Sequence, residues 1–135
     1  MTIGSAIPLE EEMTMQVRGR DQVSGLPRPV TLTTNEITQA LQDSLASIVQ
    51  TVRSVLERTP PELAADVIDR GLVLAGGGAL LRYLDVLLTQ ETGIPCHLAD
   101  NPLQCTAVGT GLALEHWDVI QRSQRTEEES LIASA

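Results

Sequence analysis

Three consecutive glycines, Gly76, Gly77 and Gly78, follow a short apolar run at residues 71–75 and precede Ala79-Leu80-Leu81-Arg82. Residues without a Cβ let the backbone turn sharply and let a ligand approach main-chain N–H groups. Residues 72–75 read as a strand buried on both faces of an α/β sheet. From Leu80 onward, Leu80, Leu81, Leu84, Leu87 and Leu88 recur at helical spacing. The glycines are thus expected at the carboxyl end of a strand and the start of a helix, where α/β folds bind nucleotides and a helix dipole favours an anion. The run is neither G-x-G-x-x-G nor a Walker A loop, which needs a lysine, and the chain has no lysine. A tight strand-to-helix turn would account for the same glycines, and the local pattern leaves both readings open.

Other chemistry is sparse. Cys96 and Cys105 are the only cysteines, and without further cysteines or well-spaced histidines they read as small hydrophobes, not as metal ligands or a disulfide. His97 and His116 lack a nucleophile elbow. Asp66 and Asp69 read as solvated charges on a short helix, as does the run Glu10-Glu11-Glu12. All nine basic residues are arginine against eighteen acidic ones, a net charge of −9. That balance argues against a nucleic-acid partner. Tyr83 and Trp117 are the only aromatics, so no stacking platform for single strands exists either. No apolar stretch approaches the ~20 residues of a membrane span, and the first residues lack a signal-peptide pattern. A cytoplasmic location is expected.

The elements that would hold the glycines follow from periodicity. Met13, Met15 and Val17 alternate with polar residues, and a second strand is expected at residues 30–33, joined through Ser24-Gly25-Leu26-Pro27 as a hairpin. Ile37, Leu41, Leu45, Ile48 and Val52 mark a long helix over residues 35–57 behind a Thr33-x-x-Glu36 capping box. Thr59-Pro60-Pro61-Glu62 ends it and opens a shorter helix, whose buried face is expected from Leu63, Ala64, Val67 and Ile68. Beyond the glycine turn come a helix over residues 80–91, a stop at Thr92-Gly93, a strand at residues 94–99 and a final helix over residues 105–121. Gly109 and Gly111 in that last helix predict close packing against a neighbouring backbone, since each costs about 1 kcal/mol there.

The string Thr59-Pro60-Pro61-Glu62-Leu63-Ala64-Ala65-Asp66-Val67-Ile68-Asp69-Arg70, continuing through the glycines to Arg82, closely resembles the MreB family of bacterial, rod-shape-determining actin homologues. Ile3-Gly4-Ser5-Ala6, Val17-Arg18-Gly19-Arg20-Asp21, Glu91-Thr92-Gly93-Ile94-Pro95 and Asp100-Asn101-Pro102-Leu103-Gln104-Cys105 are similar to other parts of it. The likeness runs from residue 3 to 115 and corresponds to the C-terminal part of the family chain. It implies an α/β fold, the C-terminal lobe of the actin-like, ribonuclease H-like ATPases. Residues 1–34 would be a partial outer subdomain carrying the β-hairpin, residues 35–121 the inner subdomain, and residues 122–135 a disordered tail.

The resemblance implies that Gly76, Gly77, Gly78, Ala79 and Leu80 form the adenosine motif. Arg82 is read as a packing or surface residue, not a base-stacking one. ATP is the implied cofactor, with magnesium in the intact family. The family's phosphate-binding hairpins and metal-placing carboxylates lie in segments that precede this sequence, so no catalytic residue is assigned. Weak or absent ATP binding is therefore expected of this chain. Implied partners are further copies or a full-length homologue and a membrane-anchored cytoskeletal adaptor, with the membrane itself engaged only indirectly, at its inner face. Two other readings stay open: a non-catalytic interaction module, and an inactive truncated remnant.

Overall fold

The computed structural model describes residues 3–122. Most of the tail that was expected to be disordered lies outside the described residues. The first two strands, β1 (Thr14–Arg20) and β2 (Pro27–Thr33), form an antiparallel ribbon with Thr14 opposite Thr33 and Arg20 opposite Pro27. Its turn is closed by the Asp21 carboxylate, which accepts hydrogen bonds from the N–H groups of Val23 (2.8 Å) and Ser24 (2.9 Å).

The ribbon runs straight into α1 (Thr34–Arg58). Thr33 caps this helix: its side chain accepts from the Glu36 N–H (3.2 Å), and the Glu36 carboxylate accepts from the Thr33 N–H (2.9 Å). The capping box is therefore present as the sequence predicts. Helix α2 (Pro61–Arg70) follows with proline in its first turn, where the missing N–H costs nothing. Gly71 ends it at φ +81°.

Then come β3 (Leu72–Leu74), a 3-10 turn (Gly77–Leu80), α3 (Leu84–Thr92), β4 (Cys96–Leu98) and α4 (Cys105–Glu115). Strands β3 and β4 pair in parallel, Leu72 with Cys96 and Leu74 with Leu98, with α3 as the crossover that parallel pairing requires. Gly93 stops α3 in the left-handed conformation, φ +73°, as a C-terminal glycine does.

One core joins these pieces. Leu45 and Val49 of α1 meet Leu84 and Leu88 of α3, which is backed by Cys96 of β4 and flanked by Leu72 and Leu74 of β3. The apolar positions of α1 recur at i and i+4, so one stripe of a long helix supplies its whole contribution. Arg53 pins α1 to the far end of α3, donating to the Glu91 carbonyl (2.6 Å) and pairing with the Glu91 carboxylate (2.7 Å).

Several expectations are corrected. Strand β3 is covered on one face only: Val73 is 69% exposed, because α3 packs on the side that carries Leu72 and Leu74. Leu63 and Ile68 of α2 are exposed, and α2 has no buried residue. A Cβ at Gly109 or Gly111 would meet nothing within 4 Å, so no close packing explains either glycine among the described residues. Both helices present their apolar sides where the described residues supply no covering layer.

The stretch before the ribbon is part of the packed structure. Residues 3–6 are all buried, and Ser5 pairs in parallel fashion with Arg82 through a bridge in which the Ala6 N–H donates to the Arg82 carbonyl (2.9 Å).

Candidate functional site

The glycine loop leaves β3 at Ala75 and turns at Gly76, whose backbone (φ +84°, ψ 177°) is accessible essentially only to glycine. The Gly76 N–H donates to the Pro102 carbonyl at 2.7 Å, which moors the loop to the turn after β4. A Cβ at Gly77 would lie 3.6 Å from Leu103, an ordinary contact, while one at Gly76 or Gly78 would meet nothing within 4 Å. Ala79 is buried and anchors the turn from below, and Leu80 is exposed. Of the three glycines, Gly76 alone is required by its backbone angle; a Cβ at Gly77 or Gly78 would fit.

The helix expected from Leu80 does not begin there. Residues 77–80 form a single 3-10 turn, Leu81 is extended (φ −66°, ψ 122°), Arg82 is held in the bridge to Ser5, and Tyr83 takes φ +61° before α3 starts at Leu84. Tertiary pairing with the N-terminal segment has overridden local helical spacing. As a result α3 begins four residues after the 3-10 turn and its dipole is not built onto the glycines. Tyr83 carries the one positive φ outside glycine among the described residues, a conformation that costs on the order of 1 kcal/mol.

Charge is missing from the loop itself. Residues 76–80 hold no ionisable side chain, and Arg82 turns away from them to the Gly4 carbonyl (3.2 Å) and the Met13 sulfur (3.7 Å). Arg82 is therefore a packing residue, as read from the sequence. Among the described residues no group of three or more histidines, cysteines or carboxylates is placed to hold a metal ion. Cys96 is buried and Cys105 half-buried, both as free thiols.

The sequence reading missed the part of Pro102 and Leu103. Nothing local in residues 100–103 says that the Pro102 carbonyl holds Gly76. A separate concavity of about 530 Å³ lies between the N-terminal segment, α1 and α3, lined by Ile7, Pro8, Leu45, Val49 and Leu87 with Asp43 and Arg53 also lining it. None of the glycine loop lines it.

A family model described as MreB/Mbl protein matches residues 1–122. The chain belongs to the MreB/Mbl family. It is 52% identical over 116 residues to the cell shape-determining protein Mbl of Bacillus cereus, covering 86% of this chain and 35% of that one. To the cell shape-determining protein MreB of Escherichia coli it is 55% identical over 117 residues, covering 87% and 34%. The chain thus spans about a third of the length of the curated relatives it matches. Among solved structures, MreB5 of Spiroplasma citri bound to ADP superimposes with a TM-score of 0.79 at 37% identity, covering 84% of this chain and 35% of that one. The same protein bound to AMPPNP gives 0.79 at 35% identity, covering 90% and 36%. The α/β, actin-like fold expected of an MreB family member is therefore the fold observed.

Proposed function

We propose that this chain serves the cell-shape role of the MreB/Mbl family as the lobe that walls the adenosine side of its nucleotide cleft. Gly76, Gly77, Gly78, Ala79 and Leu80 form that wall in this reading. The observation that carries it is the open space beside Gly78 on an uncharged loop at the carboxyl end of β3. MreB5, a relative of the same fold, is known bound to ADP and to AMPPNP, which supports ATP as the ligand.

ATP, when bound, supplies the phosphate groups on which turnover and assembly depend. The residues here would do simpler things: Gly76 sets the loop's angle, Gly78 keeps the main chain accessible, and Pro102 fixes the loop's position. Magnesium and catalytic carboxylates are assigned to the intact family, not to these residues. Within this proposal residues 1–34 belong to an outer subdomain and residues 35–121 to an inner one. The protein acts in the cytoplasm at the inner face of the membrane. It associates with further copies of itself in ATP-dependent filaments, and an adaptor anchored in the membrane docks on the inner subdomain.

A second reading, a non-catalytic interaction module, is favoured by the concavity between α1 and α3, which is independent of the glycines. The two separate on Gly78→Ala. That substitution meets no atom within 4 Å among the described residues and adds a better helix former, so stability should hold within about 1 kcal/mol. Amide resonances of residues 76–80 should move with millimolar ATP in the wild type and not in Gly78→Ala. Equal perturbation in both, or none in either, would refute the adenosine-wall assignment and leave the interaction module.

A further inference from the structure

Between the 3-10 turn and α3 the chain leaves helical geometry, and what it gains there is the placement of one side chain. Leu80 and Leu81 have the spacing to extend α3 backwards, yet Leu81 is extended and Tyr83 takes φ +61°. A residue other than glycine held in that conformation costs free energy and persists only where its surroundings over-determine it. Between the two stands Arg82, half-buried, whose carbonyl accepts from the Ala6 N–H (2.9 Å). Its Nε donates to the Gly4 carbonyl (3.2 Å), and its two terminal nitrogens donate weakly to the Met13 sulfur (3.7 and 3.8 Å).

Those contacts join segments that are remote in sequence. Gly4 and Met13 lie 78 and 69 positions from Arg82, and Met13 is the root of the ribbon, since β1 begins at Thr14. Met13 is in turn fixed to the head of α1, because its carbonyl accepts from the Thr34 N–H (2.9 Å) and hydroxyl (3.1 Å). The Ser5 carbonyl accepts from the Thr38 hydroxyl (3.1 Å). Ser5, Thr34 and Thr38 are all buried, and among the described residues no buried side-chain polar atom lacks a partner. A buried network satisfied in this way is stiff, because each bond lost strands a polar group. On the other side of Arg82, one residue away, the Leu81 N–H donates to the Gly78 carbonyl (3.1 Å). Arg82 thus meets the glycine loop through its backbone and the ribbon root through its guanidinium.

We propose that Arg82 is a positioning residue that couples the glycine loop to the root of the β1–β2 ribbon, so that a ligand held at the loop shifts Met13 and a displacement of the root shifts the loop. Filling the space between residues 4 and 13 would need no donor, and an apolar side chain would do it without the cost of partly burying a charge. A guanidinium does more. Its planar fork holds two acceptors at once in fixed directions, whereas an ammonium is a point charge on a flexible stem. Hydrogen-bonded networks and rigid elements carry coupling of this kind, and for binding it acts equally in both directions. The inference rests on the ligand proposed above for the glycine loop and adds the link from that site to the ribbon.

Titration of the full chain with ATP tests it, with the Met13 methyl and Thr34 amide resonances reporting on the root and the amides of residues 76–80 on the loop. In the wild type both sets should move with one midpoint, while the Val23 and Ser24 amides at the ribbon tip stay still. Arg82→Met keeps an unbranched stem and has no donor; its loop amides should still move, while the root response falls on the order of fivefold. Arg82→Lys covers the case in which the first variant does not fold: it keeps the charge but reaches one acceptor at a time, so the root response should fall by about half. A wild type whose loop moves and whose root does not would overturn the coupling and leave the adenosine wall standing; one in which neither moves would overturn both. A root response that persists in full in either variant would overturn the coupling as well. So would a folded Arg82→Lys whose loop no longer responds, since Arg82 would then be a prop of the loop alone.

Discussion

Gly71→Ala should be strongly damaging, and its cost can be worked from two observations. The backbone at Gly71 sits at φ +81°, ψ −175°, a region essentially reserved for glycine and worth on the order of 1–3 kcal/mol of strain for any other residue. A Cβ there would stand 2.5 Å from the Pro95 carbonyl oxygen. That oxygen cannot simply retreat, because it accepts the Leu72 N–H at 2.8 Å and so sets the register of β3 on β4. Losing that bond adds about 1 kcal/mol, while the stiffer unfolded chain returns roughly 0.4–1 kcal/mol. The net loss is about 1–3.5 kcal/mol. Urea unfolding followed by far-ultraviolet circular dichroism measures it, with Gly93→Ala as the reference: Gly93 also has a positive φ, +73°, but a Cβ there touches nothing within 4 Å. If the two substitutions cost the same, the clash with Pro95 contributes nothing and the reasoning fails.

Leu88 is 2% exposed at the centre of the core, so Leu88→Ala should cost about 2–5 kcal/mol, read from the same urea curves. Thr33→Ala removes half of the capping box and should lower stability by about 0.5–2 kcal/mol, with Thr31→Ala on the exposed ribbon as a neutral comparison. Hydrogen bonds from the Ser24 and Val23 N–H groups hold the Asp21 carboxyl below the usual carboxylate value. A depressed carboxylate contributes stability above its unfolded value and loses it as pH falls through the folded one. The ribbon tip should accordingly loosen only under acid, with the Val23 and Ser24 amide resonances shifting together with the Asp21 carboxyl signal. Titration of Asp21 at or above an ordinary aspartate would contradict the turn geometry.

Local signals in the sequence were accurate where the structure is decided locally. Thr33 and Glu36 announced the start of α1, Pro61 that of α2, and Gly93 the end of α3, because caps and turns are settled within a few residues. The position of the glycine loop after a strand was legible too. What failed depended on distant partners. Leu80 and Leu81 have helical spacing to Leu84, but Ser5 claims Arg82 in a bridge and pulls the backbone out of the helix. Ile3-Gly4-Ser5-Ala6 carries no periodicity of its own, and its burial is visible only once Arg82 is beside it. The apolar side of α2 and the glycines of α4 look like core by composition, but burial depends on a neighbouring layer, and pattern alone does not say which residues provide it.

The bridge between residues 5 and 82 also orders events in time. Closing a loop costs more as its length grows, and the sequence separation of 78 from Gly4 to Arg82, set against the few residues that separate Arg20 from Pro27, makes the later closure about 2 kcal/mol dearer. During synthesis the ribbon and α1 can form as soon as they emerge, whereas the N-terminal segment must wait until the glycine loop has been made. The segment that precedes the ribbon is thus among the last to find its place, and until it does the loop has no fixed floor beside Arg82.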